Sequence, residues 1–236
     1  MAMGNIINYI TPVEVLRYSA HKQLTHIPSA LSMLNYVDVL FTDEFVIPYQ
    51  HKIVIGKPFG AQTYYLIWKK LKFLNAIEHL SVGVKHGEID FVDYGEETMG
   101  NALGVAAGIA ITTPQKVWVN LSDATLQMGS TLEAIQFIGH KQLKNIILTV
   151  DFNNVQVTGK TSDIIPVTPV INFFRDNNWT VIIVNGHNYE QLKSAFSTKT
   201  IQPVVFICNT IKGHGCSFME ADPVLWHYKK LDESYA

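Results

Sequence analysis

Two residues stand out for the chemistry their types and spacing allow. The apolar run "KVWVNL" (residues 116–121) is followed by Ser122 and a lone carboxylate, Asp123. A second apolar run, "NIILTVDF" (145–152), is followed by Asn153 and Asn154, about thirty residues further on. A carboxylate at the end of a buried strand is costly unless something pairs with it. Asp123 and Asn153 at neighbouring strand tips would present one charged and one neutral oxygen, and a backbone carbonyl near Val155 could add a third. Three hard oxygens suit a magnesium ion, which takes about six and draws the rest from phosphate and water. The same residues also permit a plainer arrangement. Asp123 could cap the turn that follows it, and the Asn pair could form a hairpin turn with Gly159.

These residues need strands to carry them and helices to cover the strands. From residue 116 the pattern reads strand, helix, strand. "STLEAIQFIGH" predicts a helix that opens on a capping box, Ser130-x-x-Glu133. "VTPVINFFRDN" and "NYEQLKSAFS" predict helices, and "WTVIIVNG" and "QPVVFICNT" predict strands. Alternation of this kind implies an α/β fold, a mainly parallel sheet with helices on both faces. Ligands on such sheets bind at the carboxyl ends of the strands, where Asp123 and Asn153 lie. The first quarter reads helical. Thr11, Pro12 and Glu14 form an N-terminal signature. "PSALSMLNYVDVLF" repeats its apolar residues at helical spacing, "HKIVIG" reads as a short strand and "AQTYYLIWKKLKFL" as a helix. "GNALGVAAGIAI" reads as a tightly packed helix of small residues.

The chain has 236 residues, 47% hydrophobic and 16% charged, enough for one generous domain covering residues 1–236. Its formal net charge is -2, and no basic run exceeds two residues, so nothing favours nucleic acid or an anionic membrane. No apolar stretch approaches the roughly 18 residues of a membrane span. The first sixteen residues lack the basic and apolar regions of a secretion signal. Two cysteines, Cys208 and Cys216, form neither a disulfide framework nor a zinc cluster, and a cytoplasmic location is expected.

The stretch "SDATLQMGSTLEAIQFIGHKQLKNIILTVDFNNVQVTG" resembles the thiamine diphosphate motif of the transketolase family, which opens on Gly-Asp-Gly and closes on an Asn-containing turn. "NGHNYEQL" is similar to that family's "DGHD-x-x-x-L" stretch. "TIKGHGCSFMEADPVLWHYK" is similar to its "T-x-KGKG-x-SFME-x-x-x-x-WHG" ending. Upstream, "THIPSALSMLNYVDVLF" is similar to "GHPGGSLSA-x-x-x-x-x-LYF", and "FGAQTYYL" to "HGAPALYAL". The resemblance runs in order from about residue 20 to 229.

The resemblance implies a thiamine diphosphate-binding fold with Mg2+ held by Asp123, Asn153 and the Val155 carbonyl. It implies contact with the diphosphate at Ala124 and a position for Gly95 under the thiazole. His26 matches a histidine that faces substrate, and His227 one near the diphosphate and substrate; taken alone, each reads as a surface or capping residue. Gly186 and His187 read as shaping a turn. The sequence also departs from the family. Gly-Asp-Gly is Ser122-Asp123-Ala124, where a methyl would meet the diphosphate and resist a positive φ. The glutamate of "LQEG" is Met128, and the histidine of "KGHG" is Phe59. "TGPLGQG" corresponds to "VDYGEET", which brings in Glu96 and Glu97.

The implied activity is transfer of a two-carbon ketol unit between sugars or sugar phosphates. Only the diphosphate half of the family's chain is represented. The resemblance is therefore to an N-terminal subunit that works with a C-terminal, pyrimidine-domain subunit, as an α2β2 heterotetramer. "GNALGVAAGIA" and the segment from Met128 to Ile138 are the expected contact. Two alternatives stay open: a deoxyxylulose-phosphate-synthase-like two-carbon transfer, and a non-catalytic scaffold subunit.

Overall fold

The computed structural model describes residues 9–75 and 82–232. Part of the segment read for a secretion signal therefore lies outside the described residues. The elements in chain order are α1 (Pro12–His21), α2 (Ile27–Thr42), β1 (Lys52–Ile55), α3 (Gln62–Lys70), β2 (Tyr94–Gly95), α4 (Ala102–Thr112) and β3 (Val117–Ser122). They continue with α5 (Gly129–Lys141), β4 (Ile146–Phe152), β5 (Val155–Gln156), β6 (Gly159–Lys160), α6 (Thr161–Ile164) and α7 (Thr168–Asp176). The last are β7 (Thr180–Asn185), α8 (Tyr189–Phe196), β8 (Val204–Asn209) and α9 (Ser217–Ala221). Short 3-10 turns span Asp123–Gln127 and Leu225–His227.

Six strands form one sheet in the order β2-β1-β3-β4-β8-β7. Every pairing in it is parallel, as the alternation of strands and helices requires. Because strand side chains alternate, the central strands feed two cores. Val117, Val119 and Leu121 of β3 and Ile146, Leu148 and Val150 of β4 pack with α4, α5 and α7. Trp118, Phe206 and Cys208 face the other way, toward α2, α3 and α8. The polar residues of that second face, Asn120 and Thr149, are buried but partnered. Tyr36 Oη and Thr149 Oγ1 both donate to Asn120 Oδ1 at 2.9 Å, and Trp118 Nε1 donates to Thr149 Oγ1 at 3.0 Å.

Local chemistry explains most element ends and corrects three readings. Thr11 and Glu14 form the reciprocal capping box, with Pro12 in the first turn of α1. At α5 the expected box is absent. Met128 is the cap residue and makes no side-chain bond, while Ser130 Oγ donates to the Gly100 carbonyl at 2.7 Å. A tertiary acceptor has outcompeted the helix's own N–H groups. Helix α2 has the expected helical period but no solvent face: Ile27 through Phe41 are all buried, because α1, α3 and α8 cover the side turned away from the sheet. Helix α4 is packed on one face only. Ala102, Leu103, Ala106, Ala107 and Ala110 are buried, whereas Gly104 and Gly108 have nothing within 4 Å of an added Cβ.

Candidate active site

The carboxyl ends of β3, β4 and β8 bring one cluster together. Asp123 begins the turn after β3 and is 1% exposed. Its Oδ2 accepts from the Asn154 backbone N–H at 2.6 Å, and its Oδ1 from the Ala124 N–H at 2.7 Å. The plainer turn geometry is thus present: Asp123 holds the loop after β4, and β5 and β6 pair as a hairpin through Gln156 and Gly159. Burial, then the neighbouring Asp151 charge, push the Asp123 carboxyl up to about 6 despite these bonds. Among the described residues it has N–H donors and the Thr161 hydroxyl, at 3.4 Å, but no direct cationic partner.

Asp151, one strand over, is fully buried and differently served. Ser32 Oγ donates to both its oxygens at 2.8 and 2.9 Å, and Asn153 Nδ2 donates to its Oδ2 at 2.8 Å. Thr210 Oγ1 also donates to it, at 2.5 Å, and Lys57 Nζ forms a buried ion pair with it. Burial alone would raise this carboxyl; the Lys57 charge and the bonds from Lys57, Thr210 and Ser32 hold it below the ordinary carboxylate range.

Asn153 Oδ1 accepts from Val155 N–H at 2.9 Å, which turns the chain so that the Val155 carbonyl meets Lys212 Nζ at 2.9 Å. Lys212 is 4% exposed; burial and the charge of Lys57 lower its ammonium to about 8. Lys212 also donates to His227 Nδ1 at 3.2 Å, so the ring proton of His227 sits on Nε2. The His26 ring lies edge-on to His227, centroids 4.7 Å apart, and the His26 backbone N–H donates to the His227 carbonyl at 3.0 Å. His26 has φ 59°, at the N-terminus of α2. Burial and the lysine charges push His26 down to about 4 and His227 to about 3, so both imidazoles are neutral at pH 7. Phe59 stacks on His26 at 4.7 Å, and Tyr228 meets it edge-on at 5.1 Å. An aromatic rim therefore surrounds two neutral imidazoles, with two ammonium groups behind them.

Of the residues singled out from sequence, Asp123, Ala124, Asn153, Val155, His26 and His227 come together through these contacts. Ala124 lies in the 3-10 turn and is not among the residues of positive φ, so the expected strain at this position does not arise. Gly95 ends β2 at the same carboxyl edge of the sheet, beside Ile55 and with β1 between it and β3. A Cβ there would meet the Val84 carbonyl oxygen at 2.5 Å, so the close approach of residues 84–86 already demands glycine. Glu96 is buried and accepts from the Asn101 and Ala102 N–H groups at the head of α4. His187 shapes its turn as expected: it accepts from Ile211 N–H at 2.8 Å and donates to Asn35 Oδ1 at 2.9 Å, fixing the segment that leads to Lys212. Sequence reasoning missed Lys57, Asp151 and Lys212. Lys57 and Lys212 follow apolar strand runs and Asp151 lies inside one, one residue from its end, where the cost that singled out Asp123 applies as well.

The donor chemistry fits a hard cation. Among the described residues no group of three or more His, Cys, Asp or Glu side chains could hold a metal. A cation here would take one carboxylate, Asp123, with the neutral oxygens of Asn153 and Val155, and complete its shell from phosphate and water, as magnesium does. The site already attracts positive charge, since Lys212 rests on the Val155 carbonyl. Lys212 would face the phosphate oxygens, whereas the Lys57 ammonium is held by Asp151 and the Ser29 carbonyl.

Comparison with known proteins identifies the family. The family described as "Transketolase, thiamine diphosphate binding domain" matches residues 101–227. Transketolase of Mus musculus is 29% identical over 207 residues, covering 80% of this chain and 32% of that protein, so this chain spans about a third of that relative's length. A 6-deoxy-6-sulfo-D-fructose transketolase subunit from Clostridium sp. (strain MSTE9) is 31% identical over 150 residues, 60% of this chain and 54% of that protein. Among solved structures, transketolase from Leishmania mexicana superposes with a TM-score of 0.72 at 20% identity, covering 86% of this chain and 36% of that one. Transketolase from Campylobacter jejuni gives 0.69 at 17%, covering 96% and 42%.

Proposed function

The chain belongs to the transketolase family, as its thiamine diphosphate-binding N-terminal domain, and from that premise we propose that it is the diphosphate-holding subunit of a split enzyme that transfers two-carbon ketol units. The observation that carries the proposal is the convergence of Asp123, Asn153 and the Val155 carbonyl with Lys57 and Lys212 at the tips of neighbouring strands. Thiamine diphosphate, when bound, supplies the electron sink for breaking and remaking a carbon–carbon bond beside a carbonyl. The chain's own residues do the rest. Asp123, Asn153 and Val155 hold Mg2+. Lys212 offsets part of the phosphate charge, and Lys57 fixes Asp151 beneath the site. His26 and His227, neutral and side by side, are placed to hydrogen-bond the hydroxyls of a ketose or sugar phosphate.

The subunit reading draws on the Clostridium relative, which is itself named a subunit and of which this chain matches a little over half. The partner we propose is a C-terminal transketolase-like chain carrying the pyrimidine domain, in an α2β2 assembly. The outer face of α4 and α5 suits that contact. Gly104 and Gly108 leave it open, and Ile111 and Phe137 expose 56% and 42% of their surface there. Buried, free Cys208 and Cys216 are compatible with the reducing cytoplasm we assign. No helix among the described residues is long and apolar enough to cross a membrane.

The test is ketol transfer by the purified chain alone and with a pyrimidine-domain chain from the same source, given thiamine diphosphate, Mg2+ and ketose donors with and without a terminal anionic group. Activity only in the mixture is expected. Full activity of the single chain overturns the subunit reading. Cofactor binding without transfer by any mixture favours the scaffold.

A further inference from the structure

A second cavity, of about 510 Å³, opens at the other end of the sheet. It is bounded by the amino ends of β3, β4 and β8, the segment after α2 and the end of α8. The seven residues of β4 separate this end from the cofactor cluster by roughly 20 Å. The volume lies within the roughly 300–1,000 Å³ of small-molecule sites.

The lining is divided by chemistry. Half-buried Phe45, Ile147 and Phe196 present the apolar wall, backed by fully buried Leu40 and by Phe206, which meets Phe196 edge-on at 4.9 Å. Lys116, Lys144 and Lys199 stand at the cavity and are all exposed. None of the three ammonium groups has an ion-pair or hydrogen-bond partner among the described residues, whereas that of nearby Lys193 is paired with Asp43. Among the described residues no acidic side chain lines the cavity. Three unpaired ammonium groups around an apolar wall attract an anion that has an apolar body. A neutral apolar molecule would leave the lysines unanswered, and a simple inorganic anion would leave the wall wet.

We propose that this cavity binds a small amphipathic anion, a carboxylate or phosphate head on an alkyl or aromatic body, independently of the cofactor site. Neither the family match nor the cluster around Asp123 bears on it.

The experiment is a fluorescence titration of the full chain with 8-anilinonaphthalene-1-sulfonate, an aromatic sulfonate, followed by competition. One dye per chain is expected. Octanoate and octyl phosphate should displace it, while octanol, octylamine and thiamine diphosphate should not. The double variant Lys144→Glu/Lys199→Glu changes only exposed side chains, so its melting temperature should match that of the parent while dye affinity falls at least tenfold. Phe196→Asp should remove binding; the lysine variant decides the matter should Phe196→Asp fail to fold. Preference between the two anions identifies the head group. Absence of dye binding, displacement by octanol or octylamine equal to that by octanoate, competition by thiamine diphosphate, or undiminished affinity in the lysine variant would each overturn the proposal.

Discussion

The tips of β3 and β4 carry two buried carboxylates in adjacent strands, and the protein treats them in opposite ways. Asp151 is surrounded by donors and paired with Lys57, and its carboxyl is held low. Asp123, 1% exposed, is given two backbone N–H groups, a longer bond from the Thr161 hydroxyl and, among the described residues, no cation of its own, and its carboxyl rises to about 6. Burial weighs on both. The difference is the counter-charge, which the fold supplies internally at one tip and leaves to be supplied from outside at the other. An internally paired carboxylate is part of the scaffold. An unpaired one, beside an amide oxygen and a backbone carbonyl, has the character of a ligand site, and its cost in the unloaded chain is returned when a cation binds.

The largest effect that would test this contrast is at Asp151. Asp151→Ala strands Lys57 as a buried charge and should cost about 3–5 kcal/mol of stability, measured by urea denaturation. The double change Asp151→Leu/Lys57→Met should recover a good part of that loss, because it removes both charges. Equal losses for the single and double variants would mean that Asp151 matters for its shape and not its charge.

Asp123 should respond with the opposite sign. Holding its carboxylate ionised at pH 7 costs about 3 kcal/mol for a two-unit rise, the bonds from Asn154 and Ala124 already included, and an amide in its place would turn its NH2 against one of those two backbone N–H donors, which costs about 1–3 kcal/mol. Asp123→Asn should therefore leave the unloaded chain as stable as the parent or about 1 kcal/mol more stable, while removing metal-dependent cofactor binding. A loss of stability comparable to that of Asp151→Ala would erase the distinction between the two tips.

The pH dependence follows from the same shift. The folded chain holds the Asp123 proton more tightly than the unfolded chain, so the contribution of Asp123 to stability is full below the ordinary carboxylate range. That contribution declines as pH rises from about 4 through about 6. Asp151 runs the other way: its contribution is present above the ordinary range and is lost as pH falls through its lowered value. The stability gap between Asp123→Asn and the parent should widen from pH 4 to pH 7 in the unloaded chain. A gap that does not change with pH would place the proton elsewhere.

The smallest effect is expected at Ala124. Position 124 needs no positive φ, so glycine gains nothing there and adds freedom to the unfolded chain. Ala124→Gly should cost about 0.5–1 kcal/mol without improving cofactor affinity. A clear gain in affinity would show that the methyl crowds the diphosphate.

The same contrast explains what could be read from the residues alone. Strands and their order along the chain were legible because β3, β4 and β8 are nearly unbroken apolar runs, which signal a sheet covered on both faces. Asp123 was legible because it stands alone after its run. Asp151 sits inside the apolar letters of its strand and reads as part of it, although the same argument from burial applies. Lys57 and Lys212 were missed because their partners are remote in sequence: Asp151 lies 94 residues from Lys57, and Val155 lies 57 residues from Lys212. Ser130 shows the converse. Its local pattern matched a capping box, and a carbonyl 30 residues away took its hydroxyl instead.

The central claim is that Asp123, Asn153 and the Val155 carbonyl form the metal end of a thiamine diphosphate site. Titration calorimetry tests it most directly, with thiamine diphosphate added to the chain and its pyrimidine-domain partner in the presence and absence of Mg2+. The account predicts saturable binding that requires Mg2+, is weakened by Asn153→Ala and is lost in Asp123→Ala. Magnesium-dependent affinity in Asp123→Ala equal to that of the parent would contradict it.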